Sequence, residues 1–408
     1  MTGTVVLVES NTTGNGRELA RAARRSGLSP LLLTTDASRY GYVREDGVPV
    51  RSADTANVDA LLEAVHTVTD VAAVASTSEY YIDTAAALAR KLGLPGPDPE
   101  AVRACRDKGQ QRRSLAATGV PVPANARVHD PAEVARAWNA LGGGPLVVKP
   151  VAGSGSVGVR LCHTAEEATE HARPLLAHAV NERGTAMPHG VLLEAYVDGP
   201  EFSVEAVAGQ VVGVTAKHLG PHPGFVETGH DFPADGPPDV AEALRRTASE
   251  AVDALGLRDH LAHVELRLGA HGPVVIEVNP RLAGGCIPEL VREALGVDLV
   301  AAALDQALGR TPRLAPSTEG AAAVRFLLAP GDGTVHAVEG LERARRMPGV
   351  RRADVTVGPH DRLRRHGDFR DRIGSVVTRA DTPGSAARQA VGALDAIRVR
   401  LGQPGEEE

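Results

Sequence analysis

Aromatic residues and cysteines are scarce in this sequence. Phe, Trp and Tyr make up 3% of the 408 residues, and the chain has three cysteines. Their odd number, and the lack of CxxC or Cys/His spacing, argue against a disulfide framework and against a structural zinc site. Because few rings are available to stack on bases and the formal net charge is −7, we expect no nucleic-acid partner.

Long apolar runs are also missing. No stretch of about 18 apolar residues occurs, and the first residues contain neither a charged segment nor a signal-cleavage pattern. We therefore expect a cytoplasmic protein with no membrane partner. The length and the 43% hydrophobic content predict two or three globular domains that act on small molecules.

Lysine is rare in a chain that is rich in arginine. Of the 44 basic residues, four are lysines: Lys91, Lys108, Lys149 and Lys217. A lysine that survives such a bias is enriched for sites that need a compact ammonium group rather than a planar guanidinium. Lys91 fits a solvated helix end, so the other three are the candidates for a functional site.

Element patterns divide the chain into four parts. Alternating strands and helices predict an open α/β domain over residues 1–100, which ends in the Pro- and Gly-rich segment LGLPGPDPE. A helical pattern over 101–117 opens the second part, 101–190, which contains the buried-type strand PLVVKP and a glycine-rich loop. The third part, 191–310, is rich in strands, and the fourth, 311–408, mixes short strands with helix. The fold class is therefore α/β and α+β.

The glycine-rich loop spans Gly153, Ser154, Gly155, Ser156 and Gly158. Although it matches GxGxxG, a strand follows it rather than a helix, which disfavours a dinucleotide fold. The loop is more typical of a mobile hairpin flap, whose amides and serine hydroxyls could close over phosphates. A plain flexible hairpin is the alternative. Lys149, in the strand before the loop, favours the phosphate-binding interpretation, because a buried-type strand rarely holds an unpaired ammonium.

A hairpin near the end of the third part carries two carboxylates. Strand alternation places Glu265 opposite Val264, Leu266 and Leu268, and places Glu277 and Asn279 opposite Val274, Ile276 and Val278. On adjacent strands the two glutamates could bind Mg²⁺, or Mn²⁺, through oxygen ligands. Solvated glutamates on an open sheet face are the alternative. Arg281 could neutralise a phosphoryl or acyl-phosphate group, and Gly284 and Gly285 would let backbone amides approach it.

These motifs resemble the ATP-grasp superfamily over about residues 1–400. The resemblance rests on Lys108 in DKGQQRRSLAATGVPVPA, Lys149 before the glycine loop, LLEAYVDGPEFSVE, and the Glu265, Glu277, Asn279 and Arg281 set. It implies an ATP-grasp fold preceded by a Rossmann-like pre-ATP-grasp domain, a central subdomain with the flap, a C-terminal subdomain with the metal site, and a lid or packing region. It also implies that Glu194 lies near the adenine amine, that Ala195 and Val197 offer backbone contacts, and that Glu201 binds the ribose.

Within that superfamily, two segments resemble the dipeptide-forming L-amino acid ligases. GFVETGHDFPA supplies Glu227 and His230, and EVNPRLAGGCIPELV supplies Arg281, Gly284 and Gly285, as candidate substrate-binding residues. Lys217 is a candidate catalytic ammonium near the phosphates, with a surface lysine as the alternative. His230 could instead be a structural loop histidine. Glu79, followed by Tyr80 and Tyr81, comes after a strand of the open sheet, where such sheets place ligands.

The resemblance implies an ADP-forming carboxylate–amine ligase that joins two amino acids through an acyl phosphate, with ATP and Mg²⁺ as cofactors. The product could be a dipeptide or a γ-glutamyl compound, made in natural-product biosynthesis by a homodimer. One alternative is an enzyme of the biotin-carboxylase or purine-pathway branch that acts on bicarbonate, formate or a ribonucleotide. A nucleotide-binding module without catalytic activity is the other.

Overall fold

The first hundred residues form a parallel sheet in the computed structural model, which describes residues 3–11, 14–178, 180 and 188–402. Its strands lie in the order β3-β2-β1-β4, which confirms the open α/β prediction. The elements are β1 (Thr4–Val8), α1 (Asn15–Arg25), β2 (Ser29–Thr34), a 3₁₀ turn (Ala37–Arg39), α2 (Gly41–Glu45), β3 (Val50–Ser52), α3 (Val58–Val65), β4 (Val71–Ala75) and α4 (Ile82–Lys91). Helices cover both faces of this sheet, so its strands are almost continuously apolar.

Two helices follow where the sequence predicted one helical run over 101–117. They are α5 (Pro99–Arg106) and α6 (Lys108–Ala117). The chain breaks at Asp107, whose side chain accepts a hydrogen bond from Gln110 N at 2.9 Å and so caps the second helix. Lys108 therefore stands at the start of α6, where its own N–H donates to Val151 O at 2.8 Å.

A four-stranded antiparallel sheet carries the glycine-rich loop. The order is β5-β8-β6-β7, and the elements are β5 (Asn125–Val128), a 3₁₀ turn (Pro131–Glu133), α7 (Val134–Ala140), β6 (Leu146–Pro150), β7 (Arg160–Cys162), α8 (Ala165–Ala177) and β8 (Val191–Ala195). Trp138 on α7 and Ala168 and Ala172 on α8 are buried against one face. Because β8 pairs with both β5 and β6, this sheet extends past the limit expected at residue 190.

An eight-stranded antiparallel sheet faces the four-stranded one. Its first part comprises β9 (Glu201–Val207), β10 (Gln210–Leu219), β11 (Glu227–Phe232), α9 (Pro238–Ala254), β12 (Leu261–Gly269), β13 (Gly272–Asn279), α10 (Ile287–Leu295) and α11 (Leu299–Ala307). Cys105 of α5 and Leu115 of α6 are buried in the core beneath this sheet. These two helices therefore pack with the third part of the chain, although the sequence assigned them to the second.

The last hundred residues extend the same sheet. The elements are β14 (Ala321–Leu328), β15 (Gly333–Glu339), α12 (Leu341–Arg345), β16 (Val350–Val355), β17 (Arg362–Leu363), a 3₁₀ turn (Phe369–Asp371), β18 (Arg372–Ala380), α13 (Pro383–Leu394) and β19 (Arg398–Leu401). The sheet order is β13-β12-β9-β10-β11-β14-β18-β16, and β17-β15-β19 form a small separate sheet. Among the described residues, no helix is both long and apolar enough to span a membrane.

Candidate active site

A cavity of about 890 Å³ lies between the four-stranded and eight-stranded sheets. Fourteen predicted site residues line this first cavity: Lys108, Lys149, Gly153, Ser154, Gly155, Ser156, Glu194, Ala195, Val197, Glu201, Lys217, Glu227, Glu265 and Glu277. Gly158 lies beside it, where its carbonyl contacts His171 Nε2 at 2.9 Å. The structure thus brings together residues that are up to 169 positions apart in the chain.

The glycine-rich loop is a hairpin tip, as predicted. Strands β6 and β7 pair antiparallel up to Val148 and Arg160, and Gly153, Gly155 and Gly158 all adopt positive φ. The Ser156 hydroxyl donates to Phe225 O at 3.0 Å, so in this conformation it anchors the loop and is not free to bind a phosphate. We call residues 151–159 the flap.

Two buried lysines lie beneath the flap. Lys108 Nζ donates to Gly153 O at 2.9 Å and to Glu277 Oε1 at 2.8 Å. Lys149 forms an ion pair with Glu194. Burial lowers the pKa of Lys149, an effect that Glu194 only partly offsets. Both ammonium groups are therefore held at the wall of the first cavity by single carboxylates.

Glu194 is held from two sides. Its Oε1 accepts a hydrogen bond from Arg112 Nε at 2.7 Å, and its Oε2 contacts Lys149. Burial favours the neutral acid, but the two cations outweigh it and lower the pKa of Glu194. To contact an adenine amine as well, Glu194 would need a third partner besides Arg112 and Lys149. Arg112, which is fully buried, was not identified from the sequence.

The segment after Glu194 offers a backbone edge to the cavity. Ala195 N–H is used by Ala124 O at 2.8 Å, so Ala195 can offer a ligand only its carbonyl. Within the described part of the chain, Val197 N–H makes no backbone hydrogen bond. A carbonyl and an N–H two residues apart match the acceptor and donor edge of an adenine ring.

The two predicted metal ligands are direct partners across β12 and β13. Glu265 pairs with Glu277, and the next pair is Leu266 with Val275. Ile276 is thus the extra residue of a β-bulge, and it faces the first cavity. The prediction that Val274, Ile276 and Val278 share the face opposite Glu277 and Asn279 was wrong, because the bulge reverses the alternation and buries Val275 in place of Ile276.

The oxygen-rich end of this hairpin fits a hard cation. The side-chain amide of Asn279 lies 3.2 Å from Glu277 Oε1 when its nitrogen is the donor. In the described ranges, no three His, Cys, Asp or Glu side chains cluster as a metal centre. Two carboxylates and an amide oxygen would leave the remaining ligand positions of Mg²⁺ to phosphate oxygens and water, as is usual for this ion.

Lys217 is surrounded by three carboxylates. Its Nζ lies 2.9 Å from Glu201, 2.9 Å from Glu227 and 3.1 Å from Glu265, with 2% of the side chain exposed. Burial disfavours the ammonium, but the three carboxylates outweigh it and raise the pKa well above its ordinary value. The alternative of a surface lysine is therefore wrong.

His263 orients Glu265 and was not identified from the sequence. Its Nδ1 lies 2.7 Å from Glu205 and its Nε2 3.1 Å from Glu265. Burial lowers its pKa, but the two carboxylates outweigh burial and raise it to about 9. Strand alternation could have found this residue, since it precedes Glu265 by two positions on the same face of β12.

A second cavity of about 870 Å³ adjoins the first. The two share Ser154, Gly155, Glu227 and Glu265 as common wall. All six predicted substrate-binding residues line the second cavity: Glu79, Glu227, His230, Arg281, Gly284 and Gly285. Tyr80 also lines it, whereas Tyr81 is buried in the core of the first domain.

Arg281 and His230 are fixed within the second cavity. Arg281 forms an ion pair with Glu79 through Nε and donates from Nη1 to Leu282 O at 2.9 Å. His230 Nδ1 lies 2.9 Å from Gly285 O. A Cβ on Gly285 would approach His230 Cε1 to 2.3 Å. The absent side chain of Gly285 therefore makes room for His230, a function that differs from the predicted approach of its amide to a phosphate.

The C-terminal part supplies two residues that sequence reasoning missed. Arg372 and Phe369 line the second cavity, and Phe369 N donates to Gly155 O of the flap at 3.2 Å. The last part of the chain, expected to pack or to act as a lid, thus contributes a cation to the site. No local signal distinguishes Arg372 from the many other arginines.

Comparison with known families matches three segments of the chain. The ATP-grasp N-terminal domain matches residues 20–96, the ATP-grasp domain matches 143–289, and the L-amino acid ligase C-terminal domain 2 matches 325–402. The last match includes Phe369 and Arg372. The order of the matches agrees with the order of the parts in the structure.

Among known proteins, the uncharacterized protein y4rH of Sinorhizobium fredii is 38% identical over 397 residues, which cover 96% of this chain and 82% of that protein. Carnosine synthase 1 of Gallus gallus is 33% identical over 56% of this chain. Alanine–anticapsin ligase of Bacillus amyloliquefaciens is 28% identical over 58% of it. The matched segments span 26% and 53% of these two enzymes, so their activities are not carried over directly.

Two solved structures have the same fold. L-amino acid ligase from Bacillus licheniformis superposes with a TM-score of 0.82 at 22% identity, over 98% of this chain and 99% of that one. The biotin carboxylase domain of Hydrogenobacter thermophilus 2-oxoglutarate carboxylase, in complex with MgADP, ADP and bicarbonate, gives 0.71 at 17% identity, over 98% and 90%. The chain belongs to the ATP-grasp family and is a ligase of its ADP-forming, amide-bond-forming type, similar to the L-amino acid ligases.

Proposed function

We propose that this enzyme joins two amino acids in an ATP-dependent reaction, through an acyl phosphate, with release of ADP and phosphate. The observation that carries the proposal is the common wall between the two cavities. The first cavity is lined by the lysines and the flap, and the second is lined by two Arg–Glu pairs, Arg281–Glu79 and Arg372–Glu227. Guanidinium and carboxylate groups in one pocket match the carboxylate and ammonium of amino acids.

ATP would occupy the first cavity. Its base would meet the carbonyl of Ala195 and the N–H of Val197, Glu201 would accept from the ribose, and the flap with Lys108 and Lys149 would hold the phosphates. Mg²⁺, or Mn²⁺, bound by Glu265, Glu277 and Asn279 would supply charge neutralisation for the phosphoryl oxygens.

Partner exchange would prepare the site for the reaction. Lys108 now pairs with Glu277, and Lys217 with Glu265. A cation bound by the two glutamates would release the ammonium of Lys108 toward phosphate oxygens, whereas Lys217 would keep Glu201 and Glu227 as partners. These ion pairs therefore keep four buried charges neutralised before the ligands bind, because an unpaired charge would be costly there.

The chemistry proceeds in two steps. A carboxylate oxygen of the first amino acid attacks the γ-phosphorus, and the bond to the β-bridging oxygen breaks to give ADP and the acyl phosphate. The amine of the second amino acid then attacks the acyl carbon, phosphate leaves, and the nitrogen loses a proton. Arg281 stabilises the oxyanion of the tetrahedral intermediate, and the flap excludes water.

The dipeptide or γ-glutamyl nature of the product, a role in natural-product biosynthesis, a cytoplasmic location and a homodimeric state are further parts of this proposal. Alanine–anticapsin ligase and carnosine synthase support the first of these by name. For the alternatives on bicarbonate and on a ribonucleotide, the support is a likeness of fold at 17% and 14% identity.

A panel of amino acids, alone and in pairs, tests the proposal. With ATP and Mg²⁺ present, we expect ADP release that requires two amino acids together, and a product mass equal to their sum minus water. Bicarbonate and formate, each supplied with ATP, serve as comparison substrates. ADP release that depends on either of them and ignores amino acids would contradict the proposal.

A further inference from the structure

Arg372 presents an incompletely used guanidinium to the second cavity. It is the first residue of β18, and 15% of its side chain is exposed. Its Nη1 donates to Glu227 Oε2 at 2.9 Å, and its Nε reaches Phe369 O at 3.4 Å. Within the described residues, Nη2 makes no hydrogen bond. A largely buried guanidinium with open donors is suited to an acceptor that arrives with the ligand.

The ring of Phe326 contacts this guanidinium. Arg372 Cζ lies 4.6 Å from the ring centroid, a stacking distance at which a cation is attracted to the aromatic face. His230 meets the same ring edge-on, at 5.4 Å between centroids. Phe326 therefore contacts two residues that line the second cavity, Arg372 and His230, before substrate binds.

Glu227 does not depend on Arg372 alone for its charge. Its Oε1 lies 2.9 Å from Lys217 Nζ, and its Oε2 lies 3.4 Å from His230 Nε2. A second carboxylate could thus share Arg372 without leaving Glu227 unpaired. Arg281 engages the same two nitrogens, Nε with Glu79 and Nη1 with Leu282 O, so hydrogen bonding alone does not distinguish the two arginines.

The two arginines differ in their distance along the chain from the metal ligands. Arg281 follows the proposed metal ligand Asn279 by two residues. We therefore assign it to the substrate carboxylate that receives the phosphoryl group. That carboxylate is consumed by the reaction. The carboxylate of the second amino acid persists in the product and needs a partner of its own, and Arg372 is the remaining arginine lining the second cavity in the described structure.

We propose that Arg372 binds the carboxylate of the amine substrate, so that the enzyme selects amines that carry a free carboxylate over amino-acid amides and simple amines. The inference rests on the proposed ligase function and assigns a specificity-determining residue to it. It also gives the L-amino acid ligase C-terminal domain a direct part in choosing the substrate.

The test separates activation from amine selection in an Arg372→Gln variant. Hydroxylamine, an amine without a carboxylate, traps the acyl phosphate as a hydroxamate when only the first amino acid is present. We expect hydroxamate formation within about twofold of wild type, because Arg372 does not touch the activated group. For the second amino acid, loss of a charge-assisted pair should raise KM roughly 10- to 100-fold. Its carboxamide should react equally poorly with both proteins.

Two further variants keep the test decisive. Arg372→Lys keeps the charge and should recover part of the KM for the amino acid but not the bidentate geometry. Arg345→Gln removes an arginine of the same C-terminal part that pairs with Glu342 outside both cavities, and it should match wild type in every assay.

Three results have distinct meanings. Equal loss of hydroxamate formation and of ligation in Arg372→Gln would overturn the inference, because the residue would then act on activation or on folding. Equal KM changes for the amino acid and its carboxamide would also overturn it. Absence of any amino-acid-dependent hydroxamate in wild type would refute the ligase proposal itself, and the assignment of Arg372 with it.

Discussion

The two cavities are built in different ways. The first is formed by short motifs on regular elements, such as Lys149 at the end of β6 and Glu265 and Glu277 on paired strands. Apart from the wall shared with the first, the second gathers single residues from distant segments, among them those near positions 79, 230, 281–285 and 369–372. The comparison suggests that phosphate and metal chemistry is carried by local motifs, whereas substrate selection depends on how separate parts of the chain assemble.

The largest effect is expected from Glu277→Gln, in the first cavity. The change removes a proposed metal ligand and the partner of Lys108, so both ligation and hydroxamate formation should fall, on the order of 10² or more. ADP release at several Mg²⁺ concentrations measures it. Glu339→Gln, which alters an exposed ion pair with Arg400, is the control. ATP consumption by Glu277→Gln at the wild-type rate would contradict the interpretation of the first cavity as an ATP and metal site.

A smaller effect is expected where the two cavities meet, at Gly155. This residue has φ +66°, and an added Cβ would lie 2.3 Å from Phe369 Cδ1. Gly155→Ala should lower kcat/KM about tenfold for both half-reactions, because strain of this kind costs roughly 1–2 kcal/mol. Adding Phe369→Ala should restore the part of kcat/KM that is lost to the steric clash. Gly144→Ala, in open space with no positive φ, is the matched control. If the losses of kcat/KM from Gly155→Ala and Phe369→Ala simply add in the double variant, the clash between these two positions is not the cause.

The smallest effect is expected at the pairing of β11 with β14, beside the second cavity. Asp231 of β11 lies 2.7 Å from Arg325 of β14 and 2.6 Å from His218. Burial raises its pKa, but these two partners outweigh burial and lower it. Its contribution to stability is therefore present above the unfolded pKa of about 3.9 and is lost as pH falls through the lower folded value.

Asp231→Asn should accordingly lower the free energy of unfolding by about 1 kcal/mol at pH 7, and the difference from wild type should shrink below about pH 4. Urea unfolding at pH 7 and pH 3 measures both values. Hydroxamate formation at pH 7 should be unchanged. A difference that grows on acidification would show that the assigned direction of the pKa shift is wrong.

The same contrast explains what could be predicted from sequence. The open parallel sheet, the flap hairpin and the Glu265–Glu277 pairing followed from local periodicity, and the structure has all three. Local periodicity failed where a single residue interrupts it. Asp107 divides one expected helix into two, and Ile276 reverses the alternation of β13.

Arg372 marks the other limit of sequence reasoning. Its position in the site depends on the pairing of β18 with β14 in the eight-stranded sheet. These strands are about 50 residues apart in the chain, and no local sequence pattern predicts that they pair. Arginine is also common in this chain, so composition gives no signal at this position. Lysine is rare, and for that reason Lys108, Lys149 and Lys217 could be selected before the structure was known.

The bulge at Ile276 constrains how this hairpin can vary. Side chains on a strand alternate between two faces, so one unpaired residue lets Val275 point into the core while Glu277 still points into the cleft. Losing two residues from the tip would keep both orientations. A regular strand that kept Ile276 but lacked the bulge would place Val275 and Glu277 on the same face, and so force a choice between an exposed valine and a buried glutamate. The bulge therefore links the hydrophobic core to the chemistry of the enzyme.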